Sequence, residues 1–304
     1  MKRIIGIFFL LAACTTTYAC DICGCGAGSY YLGILPDFGK HAAGLRYRHN
    51  QLTTHLGAGG ITTYLTTKEV YQTTELWGGW NLSKRFRLMA IVPMAFNQRT
   101  NQGITQHKNG LGDVLLNGYY NLLNIKKKLG NKLLVQSLWA GVGVKLPTGK
   151  YNAADKSTSN NTNLFQLGTG SWDVLLNAMY DLRLQDAGIN ASVSYKMNTA
   201  NRYDYNYGNR LTATTQLYHK FRLWQKLVLA PNTGITYEYG NKDMDVRYKV
   251  DMSGGRALLY TAGMEIAYKK LVMGGNWQTP LSQNMANGFV KAGNRYMLHA
   301  GISF

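Results

Sequence analysis

The chain has 304 residues and 45% hydrophobic content, but only 16% of its residues are charged and its formal net charge is +18. It could bury a large core, yet it lacks the charge-rich surface of an ordinary soluble enzyme, and after residue 13 no apolar run approaches the ~18–20 residues of a membrane helix. No helix-turn-helix, zinc-finger or base-stacking motif directs the positive charge toward nucleic acid, so acidic lipid headgroups or lipopolysaccharide are its nearer partners.

In chain order, the first element is an export signal over residues 1–19. Lys2 and Arg3 precede the apolar run Ile4 to Ala13, and Thr17 and Ala19 supply the small residues before a cut. A rival reading takes "LAAC", Leu11 to Cys14, as a lipobox that would place a lipid on Cys14.

Residues 20–41 form an N-terminal segment that opens "CDICGCG". Cys20, Cys23 and Cys25 lie close together, and no cysteine follows them. Three thiolates in a Gly-containing turn suit a soft ion, and trigonal copper(I) fits the count better than four-ligand zinc. An oxidising compartment equally favours a disulfide with one thiol left over or modified. The following "GSYYLGILPDFG" is a candidate plug for a barrel mouth.

From residue 42 to 304 the periodicity is two. In "GINASVSYKMN", Ile189, Ala191, Val193, Tyr195 and Met197 share one face, while Asn190, Ser192, Ser194, Lys196 and Asn198 share the other. Such segments run for roughly 10 to 14 residues, against about 5–6 in soluble strands and about 9–11 in tilted membrane strands. About twelve of them begin near 43, 69, 85, 112, 133, 172, 187, 209, 226, 256, 271 and 294. Short, often basic connections alternate with longer polar ones at 53–68, 98–110, 147–170, 199–208, 240–254 and 279–293. This predicts an all-β fold, a transmembrane antiparallel β-barrel of about twelve strands in the bacterial outer membrane, with both termini periplasmic.

Two further signals support it. The closing "YMLHAGISF" puts Tyr296, Leu298, Ala300, Ile302 and Phe304 on one face, the form of last strand that barrel-insertion machinery recognises. Trp77, Trp80, Tyr237 and Tyr239 sit near segment ends, where aromatic girdles belong. The register of the strands near 45 and 135 stays open, since "LLVQSLWAGVGV" fits both.

"GLGDVLLNGYYNL" (110–122) is echoed by "GSWDVLLNAMYDL" (170–182), so that Asp113 to Asn117 recurs as Asp173 to Asn177. With "VGVKLPTGKY" between them, these stretches resemble the outer-membrane protein family named for the meta-cleavage pathway of phenol degradation. The resemblance spans about residues 85 to 304. It implies a β-barrel that carries small, often hydrophobic molecules across the outer membrane, and it does not identify the solute. The N-terminal cysteine motif resembles a Bacteroidetes subgroup of exported barrels and lies outside the shared pattern.

Counting parity back from an outward Phe304 turns Arg87, Glu75, Asp113, Asp173, Asp181, Arg183, Lys196, Arg210, Glu238, Glu265, Arg295 and His299 inward. These either pair as a structural network or line a selective lumen, where Lys196, Glu238 and Glu265 are the leading selectivity candidates, with Arg87, Asp113 and Asp173 beside them. Neither His219 nor His299 has a Ser two residues on along its strand face, so no enzyme is expected. The sequence therefore predicts an outer-membrane channel for a small solute, coupled to the thiols if they hold copper. The alternative is a non-conducting barrel tethered to a periplasmic partner through its cysteines.

Overall fold

The computed structural model describes residues 40–155, 163–223 and 226–304, so the leader and the thiol segment, including Cys20, Cys23 and Cys25, lie outside the described residues. Twelve antiparallel strands close on themselves. They are β1 (Ala42–Thr54), β2 (Thr67–Asn81), β3 (Phe86–Asn101), β4 in two pieces (Ile104–Leu111 and Val114–Leu129) and β5 (Lys132–Leu146). There follow β6 (Asp173–Leu184), β7 (Ala187–Met197), β8 (Arg210–His219, continued by Phe221–Leu223), β9 (Leu227–Gly240), β10 (Gly255–Tyr268), β11 (Leu271–Met285) and β12 (Lys291–Ser303). Each strand pairs with its neighbours in sequence, and β1 pairs with β12 from Ala42↔Ser303 to Thr53↔Lys291. Closure gives every strand of the barrel wall a partner on each side.

Alternation decides which side of the wall each residue takes. Outward positions keep an apolar belt in the open, as at Leu45 (55% exposed), Leu76 (57%), Val142 (56%) and Leu298 (59%). A continuous belt of this kind has no place on a monomer in water and is the lipid-facing band of a membrane barrel. Inward positions hold Arg46, Glu75, Arg87, Lys145, Asp173, Lys196 and Glu265, all buried. The open registers resolve with Leu45 outward and Arg46 inward on β1, and with Val142 outward and Trp139 and Lys145 inward on β5.

Three expectations need correction. Trp77 is buried at 3% exposure inside the barrel and belongs to no girdle. A Cβ at Gly44 or Gly301 would come within 3 Å of its ring, so those two glycines make the room it fills. Residues 98–110 are not a loop: β3 and β4 stay paired to Asn101↔Ile104, and the turn is Gln102 and Gly103 alone. Likewise 279–293 is largely strand, with Ala286–Gly288 as a single 3-10 turn inside a short connection. The first stretch is polar on each side, and the second is interrupted by Pro280 and a register shift opposite Leu258 and Leu259, so the alternation that marks a strand is lost although backbone pairing continues past the apolar belt.

The short turns at 82–85, 130–131, 185–186 and 269–270 and both described chain ends share one end of the barrel, where Phe304 N–H donates to His41 O at 2.9 Å. The long connections, at 55–66, 147–172, 198–209 and 241–254, gather at the other.

Candidate conduction pathway

The lumen wall has two characters. Across β1 to β6 it carries a buried apolar cluster of Ala42, Trp77, Met89, Ile91, Leu115, Tyr119, Trp139 and Leu175. Across β7 to β10 most of the buried inward groups are polar, among them Ser194, Lys196, Thr212, Gln216, Asn232, Thr236 and Thr261, with Tyr218, Ala230, Ala257 and Leu259 between them. Charged side chains pair as a low-dielectric interior requires. Glu75 bridges Arg46 and Arg48, and Glu69 takes Arg99 at 2.8 Å. Glu238 takes Arg295 at 2.7 Å, and Tyr218 donates to Asp181 at 2.9 Å.

All the lumen residues expected from sequence are interior, but they do not form one ring. Lys196 and Glu238 lie near the loop end of β7 and β9, with Lys196 directly opposite Arg210 on β8. Glu265 lies near the turn end of β10, its Oε1 4.0 Å from His299 Nε2. Arg87 is at the turn end of β3, donating to Lys40 O at 3.1 Å. Asp113 and Asp173 are brought together: Lys145 Nζ, on the strand between them, lies 2.7 Å from Asp113 and 2.8 Å from Asp173.

That triad explains the internal repeat. The two Asp-Val-Leu-Leu-Asn stretches flank β5, and its Lys145 answers both aspartates. Two rows further into the barrel, Asn177 Nδ2 donates to Asn117 Oδ1 at 3.2 Å, across the same strand. They meet because Gly141 and Gly143 present no side chain there; a Cβ at Gly143 would sit 2.1 Å from Asn117 Oδ1.

The same triad fastens loop 147–172. Asp113 accepts the backbone N–H of Gly149 and of Thr169, each at 2.9 Å, and so ties the first and last turns of the loop together. From this neck the chain returns into the mouth. Leu164 and Phe165 are buried in a cluster with Leu52, Tyr71, Ala257, Leu259, Met285 and Ala292, which belong to the wall opposite β5 and β6. The Phe165 ring lies under the Arg99 guanidinium at 4.5 Å and under Lys108 Nζ at 4.9 Å. Lys108 also donates to Phe165 O at 2.5 Å, and Tyr207 OH donates to Asn163 O at 2.9 Å. Residues 163–167 therefore cross the mouth at the loop end of the barrel and occupy it. Sequence reading placed the stretch in a polar loop and assigned plugging to the N-terminal segment, which lies outside the described residues. The apolar "NLFQL" within a polar connection was the available signal.

Beside this plug, Asp243 ties two other loops. It is buried, accepts Tyr205 OH at 2.5 Å and Gly208 N–H at 2.8 Å, and burial pushes its carboxyl above the ordinary carboxylate range. Among the described residues no three His, Cys, Asp or Glu gather as a metal set.

A closed twelve-strand barrel, belted with exposed apolar residues and polar within, is an outer-membrane β-barrel. Residues 48–256 match the sequence profile of the family described as "Putative MetA-pathway of phenol degradation", and the chain belongs to that family. The fold is similar to that of the COG4313 outer membrane channel from Pseudomonas putida F1, at 16% identity and a TM-score of 0.61, over 92% of this chain and 100% of that one. The translocator domain of the autotransporter NalP from Neisseria meningitidis aligns at 11% identity and a TM-score of 0.43, over 89% and 90%. No curated protein sequence matches the chain.

Proposed function

We propose that the protein is a channel for a small amphipathic solute, with its short turns at the periplasmic face and its outer mouth closed by loop 147–172. The insertion of Leu164 and Phe165 against the far wall carries this reading. A barrel with no traffic needs only a filled interior. Here one loop is tied at its neck by Asp113 and sent across the mouth, above a lumen whose wall carries an apolar cluster among paired polar groups. Family membership and likeness to an outer membrane channel support the same reading.

The test is planar-bilayer conductance of the full chain against Leu164→Ser/Phe165→Ser. Wild type should pass little current and the variant should open several-fold more. Equal, inert bilayers from both would sink the channel reading and favour the non-conducting barrel. Coupling to copper(I) through Cys20, Cys23 and Cys25 rests on the sequence alone. An anaerobic Cu(I) titration of wild type against the triple Cys→Ser variant decides it, and a bound disulfide or lipid with no copper uptake would sink it.

A further inference from the structure

The turn end of the barrel is strongly basic. Lys84, Arg85, Lys220, Lys226, Lys269 and Lys270 stand in or beside its turns; among the described residues the acid within these turns is Asp186, paired with Arg222 at 2.8 Å, while Asp181 and Glu265 face the lumen nearby. The β4–β5 hairpin belongs to this surface, with Lys126, Lys127, Lys128 and Lys132. Strand β3 stops pairing with β4 at Phe86↔Tyr120, and Arg85 O accepts the N–H of Asn121 at 2.8 Å. Beyond Asn121, β4 continues to Leu129 with β5 as its only neighbour among the described residues.

A register shift between Asn121 and Leu123 resets the alternation in this hairpin. Trp139 points inward, so Ile125↔Gln136, Lys127↔Leu134 and Leu129↔Lys132 continue the lipid-facing side, whereas Lys126↔Val135 and Lys128↔Leu133 continue the lumen side. The outward side thus interleaves Ile125 (42% exposed), Leu129 (56%) and Leu134 with Lys127 and Lys132. Apolar residues continuous with the membrane belt, carrying amines that extend past it, match the boundary between acyl chains and anionic headgroups. An anionic surface without acyl chains would leave Ile125 and Leu129 uncovered.

We infer that the outward face of this hairpin is a binding site for anionic phospholipid of the inner leaflet, held by Lys127 and Lys132. This rests on placing the short turns at the periplasmic face. Lysines on an otherwise open strand also keep it from pairing with another chain, but that role is served by either face.

The test is native mass spectrometry of the full chain in neutral detergent, titrated with cardiolipin, phosphatidylethanolamine or lipid A. Wild type and Lys126→Gln/Lys128→Gln should retain cardiolipin over phosphatidylethanolamine. Lys127→Gln/Lys132→Gln should lose about thirtyfold in cardiolipin retention, the effect of two basic residues at an anionic surface. Equal loss from both pairs, or no preference for cardiolipin in wild type, would overturn the site. Lipid A held by Lys127 and Lys132 in place of cardiolipin would overturn its inner-leaflet placement. Neither result depends on current, so an inert bilayer would leave this inference standing.

Discussion

Replacing Lys145 with Met should be among the most damaging single changes to the barrel. The ammonium is 1% exposed and pairs with two carboxylates that are 7% and 0% exposed. Without it Asp113 still has the N–H groups of Gly149 and Thr169, and Asp173 Oδ1 still has Ser171 and Thr199. Asp173 Oδ2, which faced Lys145 at 2.8 Å, keeps nothing. Removing one partner of a buried pair costs about 3–5 kcal/mol, and here two like charges also face each other across one strand. The double variant Lys145→Met/Asp173→Asn removes one of the two facing charges and returns the site to its wild-type net charge, while Asp113 keeps its backbone donors, so it should recover about 2 kcal/mol of the loss through coupling. Urea unfolding in detergent micelles, followed by tryptophan fluorescence, measures both variants. If Lys145→Met cost less than about 1 kcal/mol, or the double variant cost as much as the single, the triad would not be the interior fastener argued here.

Three other outcomes follow from the same interior. Gly143→Val should block folding or lower stability by more than about 3 kcal/mol, because the new Cβ falls 2.1 Å from Asn117 Oδ1 and β5 cannot yield without parting from β4; heat-dependent gel mobility reports it. In the plug-opened background, Lys196→Gln should move the reversal potential in a salt gradient toward cations, and Glu238→Gln should move it toward anions. No shift from either would remove both from the selective path. Asp243 has a folded pKa above its unfolded value, so its contribution to folding is fully present below the ordinary carboxyl range near 4 and is lost as pH rises through the raised value. Hydrogen exchange at Gly208, corrected for its intrinsic rate, should show protection falling as pH rises through that window, with Arg210 and Lys196 as the nearby cations. Asp243→Asn should flatten the profile.

The barrel was legible because one physical rule repeats along its whole length. A wall with lipid outside and polar groups inside must alternate, and the residues of β6, β7 and β10 do so in plain view. Legibility failed where the rule lapses. Past the belt, "TQHKNG" is polar on both sides, so β4's first piece reads as loop although it is paired residue by residue with β3. Trp77 misled because aromatic identity suggests a girdle, while only the glycines at 44 and 301, on other strands, make room for it inside.

The repeat shows the same limit from the other side. Its two copies were visible, but their meaning lay in the strand between them. Lys145 sits in "VGVKLPTG", a run in which outward valines alternate with inward glycines, and no spacing within it marks the lysine as the shared partner of Asp113 and Asp173. Once folded, each copy supplies one carboxylate and one amide to a strand stripped of side chains at Gly141 and Gly143. The copy nearer the loop's first turn also holds that loop closed at its neck. Wall stability and closure of the mouth therefore run through one aspartate. A change at Asp113 should open the channel and weaken the barrel together, whereas a change at Phe165 should open it and leave the barrel intact.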